Sequence, residues 1–484
     1  MLIVSENKLS ATLRFAGRIL SAALVTTFFT LALGFLAVLS LGSAPVMAQE
    51  YITNQDRVPD SVDQVVSPMD LSFQEKAEIP RFFPWLKEEL KDTPAFFRDT
   101  KFGLNIRTYY FFRDNYPDTS PRENEAWALG GSIYYQSGWF LDHFSVGSVL
   151  YTSWPLYAPD EKDGTLLLKP GQEDYTVVGQ LYGRVKLIDE NFINIYRYEY
   201  NTPYINKNDN RMTPNTFEGY TFTGAYGGKD GAPRFTYGGG YIDKIKERNS
   251  DRFVSMSQDA GAVDVKKGVF LGGGSFSHKG FKIGAIDYYS DDIINIGYAE
   301  SSYSFPVTER LGLLFSAQFT DQRSVGGDLL KGFDFKTNQF GVKGDMSYGG
   351  GVLSLGYTGA SDGADLQSPW SGYPGYTSVQ VKDFNRAGED AFIVKGSYDF
   401  TRLGLEGVTA YALFVHGWDR VDPITKDSVP DENEFNADLQ WRPKWKFLDG
   451  LWFRVRYAYV YQYEGPEYNL DDFRVIVNYD VPLL

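Results

Sequence analysis

The feature that most constrains this chain is an alternation of apolar and polar side chains that begins near Lys101 and recurs to the last residues. In the first run, the apolar face carries Phe102, Leu104, Ile106, Tyr110 and Phe112. The other face carries Asn105, Arg107, Tyr109 and Arg113. The pattern returns near the C-terminus, over residues 433–441, 453–461 and 473–483. A period of two is that of a β-strand, whose successive side chains point to opposite faces. The chain is therefore predicted to be all-β over most of its length.

Strand length and aromatic placement decide between a soluble sandwich and a membrane barrel. Many runs reach about ten residues, and aromatic residues, which make up 16% of the chain, cluster toward their ends. A tilted strand that crosses a bilayer needs about 9–11 residues, with aromatic girdles at both interfaces. The sequence thus predicts a transmembrane antiparallel β-barrel with an apolar outer band and a polar, wet interior.

About eighteen strands are predicted, starting near residues 101, 124, 142, 174, 191, 217, 233, 265, 281, 293, 308, 335, 350, 390, 405, 433, 450 and 472. Tight connections such as 189–191 alternate with long ones such as 362–389, which predicts short periplasmic turns and long external loops. Residues 281–298 do not alternate cleanly, so sixteen strands is an alternative. The apolar ladder over 473–483 predicts a closing strand, because an open sheet edge cannot face hydrocarbon.

The N-terminal residues have the layout of a secretory signal. Residues 1–18 are basic, residues 19–41 apolar and residues 42–48 mostly small. The apolar stretch exceeds the usual ~7–15 residues, so an uncleaved anchor is the alternative. The predicted organisation is a signal peptide at 1–48, a polar periplasmic lead-in at 49–98 and the barrel at 99–484. In the lead-in, four apolar residues are expected on the barrel rim or in its mouth, unless the segment is loosely held: Phe82, Phe83, Trp85 and Leu86.

Charge and composition exclude several classes of function. A formal charge of −15 argues against nucleic-acid binding, because surfaces that bind phosphate backbones are basic. With 23% charged residues, the chain is not a polytopic helical membrane protein. Cysteine is absent, and the three histidines lack metal-ligand spacing. No metal, cofactor or catalytic residue is predicted. His416 is expected to face the lumen; the alternative is that it serves as the base of an outer-membrane hydrolase.

Four arginines are predicted to share one side of the lumen, because the apolar phase of the first and the last two strands points them inward: Arg107, Arg454, Arg456 and Arg474. Barrel closure makes these strands neighbours, so the guanidiniums should form a basic wall with successive sites for planar carboxylates. The alternative is that each arginine pairs with a lumen acid such as Asp438 or Asp480. Arg184 and Lys186, inward in the fourth strand, form a separate candidate patch.

The third and seventh external loops are predicted to narrow the lumen, and the alternative is that they fold away from it. The seventh is unusually long for a connection, which favours a function. The candidate constriction residues are Asp209, Asn210 and Arg211 in the third loop, and Asp362, Asp365, Tyr373 and Asp383 in the seventh.

From about Phe96 to its end, the sequence resembles the OprD family of outer-membrane porins. The similar segments are the opening strand over 96–114, Asn201-Thr202-Pro203 with the run 209–219, the stretch around Glu389, Tyr398-Asp399-Phe400, and the terminal 473–477. The resemblance implies eighteen strands, inward-folded third and seventh loops, and a row of arginines that draws carboxylate-bearing solutes through. The chain departs from the family in ending with Leu483-Leu484, where such barrels usually end in phenylalanine, and in its longer lead-in.

The sequence therefore predicts a porin in the outer membrane of a Gram-negative bacterium, working by passive, selective diffusion without a cofactor. The expected solutes are amino acids, small peptides or carboxylates, and the other expected partners are outer-membrane lipid and the barrel-insertion machinery. A general, weakly selective porin is the first alternative and an outer-membrane hydrolase the second. Monomer and weak homo-trimer both remain open, because lipid-facing residues resemble subunit-facing ones.

Overall fold

The computed structural model describes residues 83–116, 121–445, 448–462 and 469–484. Its strands are β1 (Lys101–Tyr116), β2 (Glu123–Gln136), β3 (Phe144–Tyr157), β4 (Tyr175–Ile188), β5 (Asn191–Tyr198), β6 (Thr216–Gly227), β7 (Arg234–Lys246), β8 (Val254–Ser255), β9 (Val269–His278), β10 (Phe281–Ser290), β11 (Ile294–Pro306), β12 (Leu311–Arg323), β13 (Lys336–Tyr348), β14 (Gly351–Ala360), β15 (Asp390–Asp399), β16 (Val408–Trp418), β17 (Glu432–Trp441), β18 (Leu451–Gln462) and β19 (Asn469–Pro482). The predicted signal peptide and the lead-in up to Phe82 lie outside the described residues.

Among the residues that the structure describes, three short α-helices accompany the strands: α1 (Pro84–Leu90), α2 (Ala95–Arg98) and α3 (Met256–Asp259). The first two precede β1, and the third lies in the connection between β7 and β9. Within the part of the chain that the structure describes, no helix is both long and apolar enough to cross a membrane.

All strands belong to one closed antiparallel sheet. Neighbours in sequence pair with each other, except that the two-residue β8 lies beside β7 as a side branch and β7 itself pairs with β9. The ring closes between β1 and β19, from Gly103 opposite Pro482 to Tyr116 opposite Asn469. The barrel therefore has eighteen long strands, as predicted, and the alternative of sixteen is wrong.

The connections differ in length at the two ends of the barrel. At the end where β1 begins and β19 finishes, the turns 189–190, 279–280 and 349–350 each have two residues. At the opposite end lie L3 (199–215), L4 (247–268), L7 (361–389) and L8 (419–431). Short turns mark the periplasmic end of such barrels and long loops the external end, so both ends of the barrel domain are periplasmic.

The two faces of β9–β11 do not differ in polarity as expected, because apolar residues lie on both. The inward side chains include buried Ile286, Tyr288 and Ile296, whereas outward positions carry Phe281 and Ile283 but also Gly272 and Asp287. The inward residues pack into a hydrophobic core inside the barrel together with Tyr204 of L3, Met256 of L4 and Trp370 of L7. Because these loops fill that half of the lumen, apolar side chains are buried there by protein. This packing explains why residues 281–298 do not alternate in the usual phase.

Candidate functional site

The four arginines predicted to form the basic wall do lie side by side. Arg456 stands opposite Arg474 in the β18–β19 register, and Arg474 stands opposite Phe111 in the β19–β1 register. Arg454 and Arg107 lie closer to the periplasmic ends of β18 and β1. All four side chains are buried on the inward face, in the half of the lumen opposite the hydrophobic core.

Each wall arginine also contacts an acid. Arg454 donates from Nε to Asp438 Oδ2 (2.7 Å), and Nε of Arg456 lies 3.1 Å from the same oxygen. Arg474 donates to both carboxylate oxygens of Asp472 (2.6 and 3.0 Å). Pairing with a lumen acid therefore occurs at Asp438, as the alternative interpretation expected.

The remaining wall arginine reaches a loop. Arg107 donates from Nη2 to Asp209 of L3 (3.1 Å) and from Nε to Asn478 (2.7 Å). The other acid named in the alternative, Asp480, accepts instead from Asn105 (2.8 Å). The wall is thus tied to β17, to its own strand β19 and to L3.

Phe111 is a lumen residue that the sequence analysis missed. Three guanidinium carbons lie over its ring, those of Arg474 (5.0 Å to the centroid), Arg211 (5.1 Å) and Arg113 (5.4 Å). A cation attracted to an aromatic face is held at a fixed distance from it, so the ring sets the spacing of three arginines. Its position on the polar face of the first strand, between Tyr109 and Arg113, was the sequence signal that would have identified Phe111.

L3 brings Asp209, Asn210 and Arg211 into the barrel beside the wall. Arg211 is buried and donates to the carbonyl oxygens of Thr165 (2.8 Å) and Asn210 (2.9 Å). Arg248 of L4, also missed from sequence, donates to Asn210 Oδ1 (2.6 Å). Among the described residues, neither Arg211 nor Arg248 forms an ion pair with a carboxylate. Burial and the nearby arginines lower the pKa of Arg211, which reflects the crowding of positive charge here.

L7 crosses the lumen and contacts the wall. The side-chain amide of Gln380 donates to Asp472 (2.9 Å), and the backbone carbonyl of Gln380 accepts from Arg474 Nη2 (3.3 Å). The next two backbone amides, of Val381 and Lys382, donate to the carboxylate of Glu434 (3.0 and 2.8 Å). The tip of L7 is therefore fastened to β17 and β19 and covers the external side of the wall.

The predicted L7 residues occupy different places. Tyr373 is buried and donates to Gln339 (2.6 Å), and Asp383 accepts from Ser378 (2.6 Å), both inside the barrel. Asp365 accepts from Arg386 (2.7 Å) nearer the loop ends. Asp362 lies apart from them: its side chain is 75% exposed and contacts Lys426 of L8.

Comparison with known proteins identifies the architecture. Residues 94–483 match the family model described as outer membrane porin, OprD family. The chain belongs to the OprD family. Among curated proteins, Porin D of Pseudomonas aeruginosa is 24% identical over 436 residues, which cover 81% of this chain and 93% of that protein. This OprD-family membership confirms the predicted barrel, the outer-membrane location and the porin class.

Solved structures share the fold of this OprD-family porin at low identity. Pseudomonas aeruginosa OccK9 (OpdG) is 23% identical, with a TM-score of 0.72 over 81% of this chain and 100% of that one. Pseudomonas aeruginosa OpdK, solved with vanillate, is 19% identical with a TM-score of 0.67 over 79% and 99% of the two chains. A BenF-like porin from Pseudomonas fluorescens Pf-5 is 18% identical with a TM-score of 0.69 over 80% and 100%.

The second predicted basic patch of the porin is separate from the wall. Arg184 lies near the periplasmic end of β4, with its guanidinium 4.6 Å from the Phe192 ring and its Nε 3.2 Å from Asn194. Lys186 lies 3.6 Å from Asp189. These contacts place the patch at the periplasmic mouth.

The expectation that His416 faces the lumen is wrong. Its ring stacks on Trp418 (centroids 5.4 Å apart, 15° between planes) and bonds Asn433 (2.9 Å) on the outward face of β16. Val415 of the same strand is buried inside the barrel, so the intervening residue must point outward. Among the described residues, the hydrogen-bond partner of His416 is Asn433, and no serine bonds to its ring.

Two lysines extend the positive charge beyond the predicted wall. Lys395 of β15 lies 4.7 Å from the ring of Tyr411, whose hydroxyl accepts from Arg456 Nη2 (3.4 Å). Lys343 of β13 lies 3.5 Å from Asp345. Both were missed because the inward residues of β13 and β15 are a mixture of polar types. A single lysine among them does not stand out in the sequence.

Proposed function

We propose that this OprD-family porin passes small solutes bearing a carboxylate by passive, selective diffusion along the basic wall. The observation that carries the proposal is that the arginines on one side of the passage outnumber the aspartates that form ion pairs with them. Seven arginines are involved, Arg107, Arg113, Arg211, Arg248, Arg454, Arg456 and Arg474, and three aspartates pair with them, Asp209, Asp438 and Asp472. A confined row of such charges concentrates anions.

The order of the arginines along the strands supports stepwise passage. Arg113 lies toward the external end of β1, Arg456 and Arg474 near the middle of their strands, and Arg454 and Arg107 nearer the periplasm. A guanidinium offers a planar fork that matches a carboxylate, so a solute can move from one fork to the next. The paired aspartates weaken each site, and conduction requires sites that release as readily as they bind.

The chemistry beside the wall favours carboxylates with an apolar or aromatic body. Phe111 and Tyr411 lie among the cations, where a ring or short alkyl group has a surface to contact. OpdK, which shares the fold, was solved with vanillate, an aromatic carboxylate. Aromatic carboxylates, amino acids and small peptides are therefore the solutes to compare first.

Single-channel recording of the purified porin in planar bilayers tests the proposal. The double variant Arg454→Ala/Arg456→Ala should lower anion selectivity and abolish the preference for carboxylate solutes. The matched control is Arg184→Ala/Lys186→Ala, which removes two cations from the periplasmic patch and should leave that preference in place. Equal carboxylate flux through the wild type and the wall variant would favour a general, weakly selective porin.

A second double variant, with lysine at both positions, tests whether the preference for carboxylates depends on charge alone or on the planar shape of the guanidinium. Arg454→Lys/Arg456→Lys keeps both charges but offers point charges in place of planar forks. We expect it to retain anion selectivity toward chloride while losing most of the preference among carboxylates.

A further inference from the structure

The segment before the barrel is attached to the outer side of its periplasmic rim. The amide of Gly138, in the β2–β3 turn, donates to the carbonyl of Phe96 in α2 (2.9 Å). The rings of Phe96 and Phe140 meet edge to face, 6.2 Å apart. Phe140 forms a β-bridge with Phe144, so both side chains lie on one face of the sheet.

That face is the outer one. Phe144 is 50% exposed, whereas its neighbour Ser145 is buried and lies on the inward side. α2 therefore packs on the lipid-facing edge of the barrel. Of the two positions that the sequence left open for this segment, rim or mouth, these contacts indicate the rim.

Six exposed apolar residues lie on this segment and the adjoining rim, and they are here called the rim patch: Phe83, Trp85, Phe97, Phe140, Leu141 and Phe144. Trp85 is 59% exposed and Phe97 51% exposed, which matches the exposure of the outward-facing Phe144 (50%). The rings of Phe83 and Trp85 contact each other at 6.4 Å. Four residues, 91–94, connect α1 to α2, so the C-terminal end of α1 lies within about 18 Å of the start of α2.

α1 places its lysine and most of its apolar residues on different sides. At 3.6 residues per turn, Trp85, Leu86 and Leu90 fall within one half of the helix circumference, which Glu89 shares, and Lys87 falls on the opposite half together with Lys91 at the C-cap. A short amphipathic helix with aromatic residues on one side and lysines on the other is typical of a segment lying in a membrane interface.

We propose that α1 and α2 form an interfacial anchor whose rim patch inserts into the periplasmic leaflet of the outer membrane. The occupant is inferred to be phospholipid because the patch continues directly into the lipid-facing surface of the barrel at Phe140 and Phe144. Aromatic side chains favour the headgroup level of a bilayer, and the lysines can contact anionic headgroups. α1 lies before residues 94–483, the part that matches the family, so the anchor is argued from this chain alone.

The chain contains no cysteine, so one introduced cysteine gives a unique labelling site. The full-length porin would carry Trp85→Cys, Phe97→Cys or, as the matched control, Lys87→Cys, each labelled with a nitroxide. Each variant is reconstituted into phosphatidylethanolamine–phosphatidylglycerol vesicles, and heat-modifiable gel migration verifies the folded barrel. Power-saturation spectroscopy then compares collisions with oxygen, which concentrates in lipid, and with a water-soluble nickel complex.

We expect the oxygen-to-nickel collision ratio to be several-fold higher at positions 85 and 97 than at position 87. Equal ratios at all three positions would overturn the proposal, because the helix would then lie in water. Low collision with both reagents at 85 would also overturn it, since protein would then cover the patch. In that case, loss of spin broadening on dilution with unlabelled porin would identify a second copy. None of these outcomes depends on which solute the channel passes.

Discussion

Arg456 and Arg474 face each other across β18 and β19, and each is held by a different aspartate, Asp438 and Asp472. Like charges on neighbouring strands repel, and burial makes this costlier unless each charge is paired and hydrogen-bonded. Asp438 lies beside Arg456 on the neighbouring strand β17, and Asp472 lies two residues from Arg474 on β19. Each aspartate therefore holds one guanidinium, and we expect a solute carboxylate to be best stabilised between the two arginines.

Asp472 should therefore control both stability and release. It is buried and bonded to Arg113 and Arg474, so Asp472→Asn leaves two guanidiniums without their carboxylate. Breaking a buried pair costs about 3–5 kcal/mol, which would appear as a lower midpoint in urea unfolding followed by gel shift. Carboxylate solutes should block current for longer, because the sites lose a competing anion.

The control for Asp472 is Asp114→Asn, which breaks the half-exposed pair with Arg122. A surface pair contributes about 0–1 kcal/mol, so the unfolding midpoint should hardly move. Shorter blockades in Asp472→Asn than in wild type would contradict the assigned role.

Phe111 should position the arginines without bearing charge itself. Replacing it with leucine removes the ring beneath Arg113, Arg211 and Arg474. Each cation–π contact contributes about 0.5–2 kcal/mol, so carboxylate affinity measured from current blockade should fall by roughly twofold to thirtyfold. Phe111→Tyr keeps the ring and should restore most of the affinity.

Phe112→Leu is the matched control, because Phe112 is the next residue of β1 and points to the outer face. It should leave blockade unchanged. If both leucine variants behaved alike, a positioning role for Phe111 would be untenable.

The wall was predictable because strand phase is a local property and closure follows from topology. Once Phe453 and Phe473 are assigned outward, Arg454 and Arg474 must point inward, and the first and last strands must meet. Of the acids that pair with the wall, Asp438 was predictable because it lies on a neighbouring strand. Asp209 was not, because it reaches Arg107 from a loop. Loop conformation depends on packing that no periodicity encodes.

The β9–β11 region shows where period-two reasoning fails. The analysis assumed that inward faces meet water, and Ile286 and Tyr288 instead meet L3, L4 and L7. Arg248 was missed for the same reason, since its position depends on how L4 folds over Asn210. His416 was misplaced because a polar residue near the end of a strand is compatible with either face.

The clamp on the tip of L7 should govern fluctuations of the current. Glu434 accepts the amides of Val381 and Lys382, and a glutamine there keeps only one oxygen and no charge. Glu434→Gln should give more frequent subconductance transitions in single-channel traces, because L7 leaves the wall more often. Glu406→Gln, in the periplasmic turn before β16, is the control and should not change the frequency of subconductance transitions. Unchanged dwell times in Glu434→Gln would show that other contacts hold the loop.

Selectivity should depend on pH through Asp383 in L7. Burial raises the pKa of Asp383, although the Ser378 hydroxyl and the charges of Arg248 and Lys382 act in the opposite direction. Below that raised pKa the side chain is neutral, and as pH rises through it the lumen gains a negative charge beside the arginines. Anion selectivity should therefore decrease as pH rises above about 4, the ordinary carboxylate value. Reversal potentials in a salt gradient, from about pH 4 to about pH 8, measure the change.

Two variants identify the residue that causes the decrease in anion selectivity. Asp383→Asn should remove this decrease and leave only the change at higher pH that comes from Asp259. Asp259 of L4 titrates separately, since burial and Glu247 raise its pKa to about 8, so Asp259→Asn should keep the Asp383 step and lose only a change at higher pH. If selectivity in Asp383→Asn still falls as in wild type, the titrating charge lies elsewhere in the lumen.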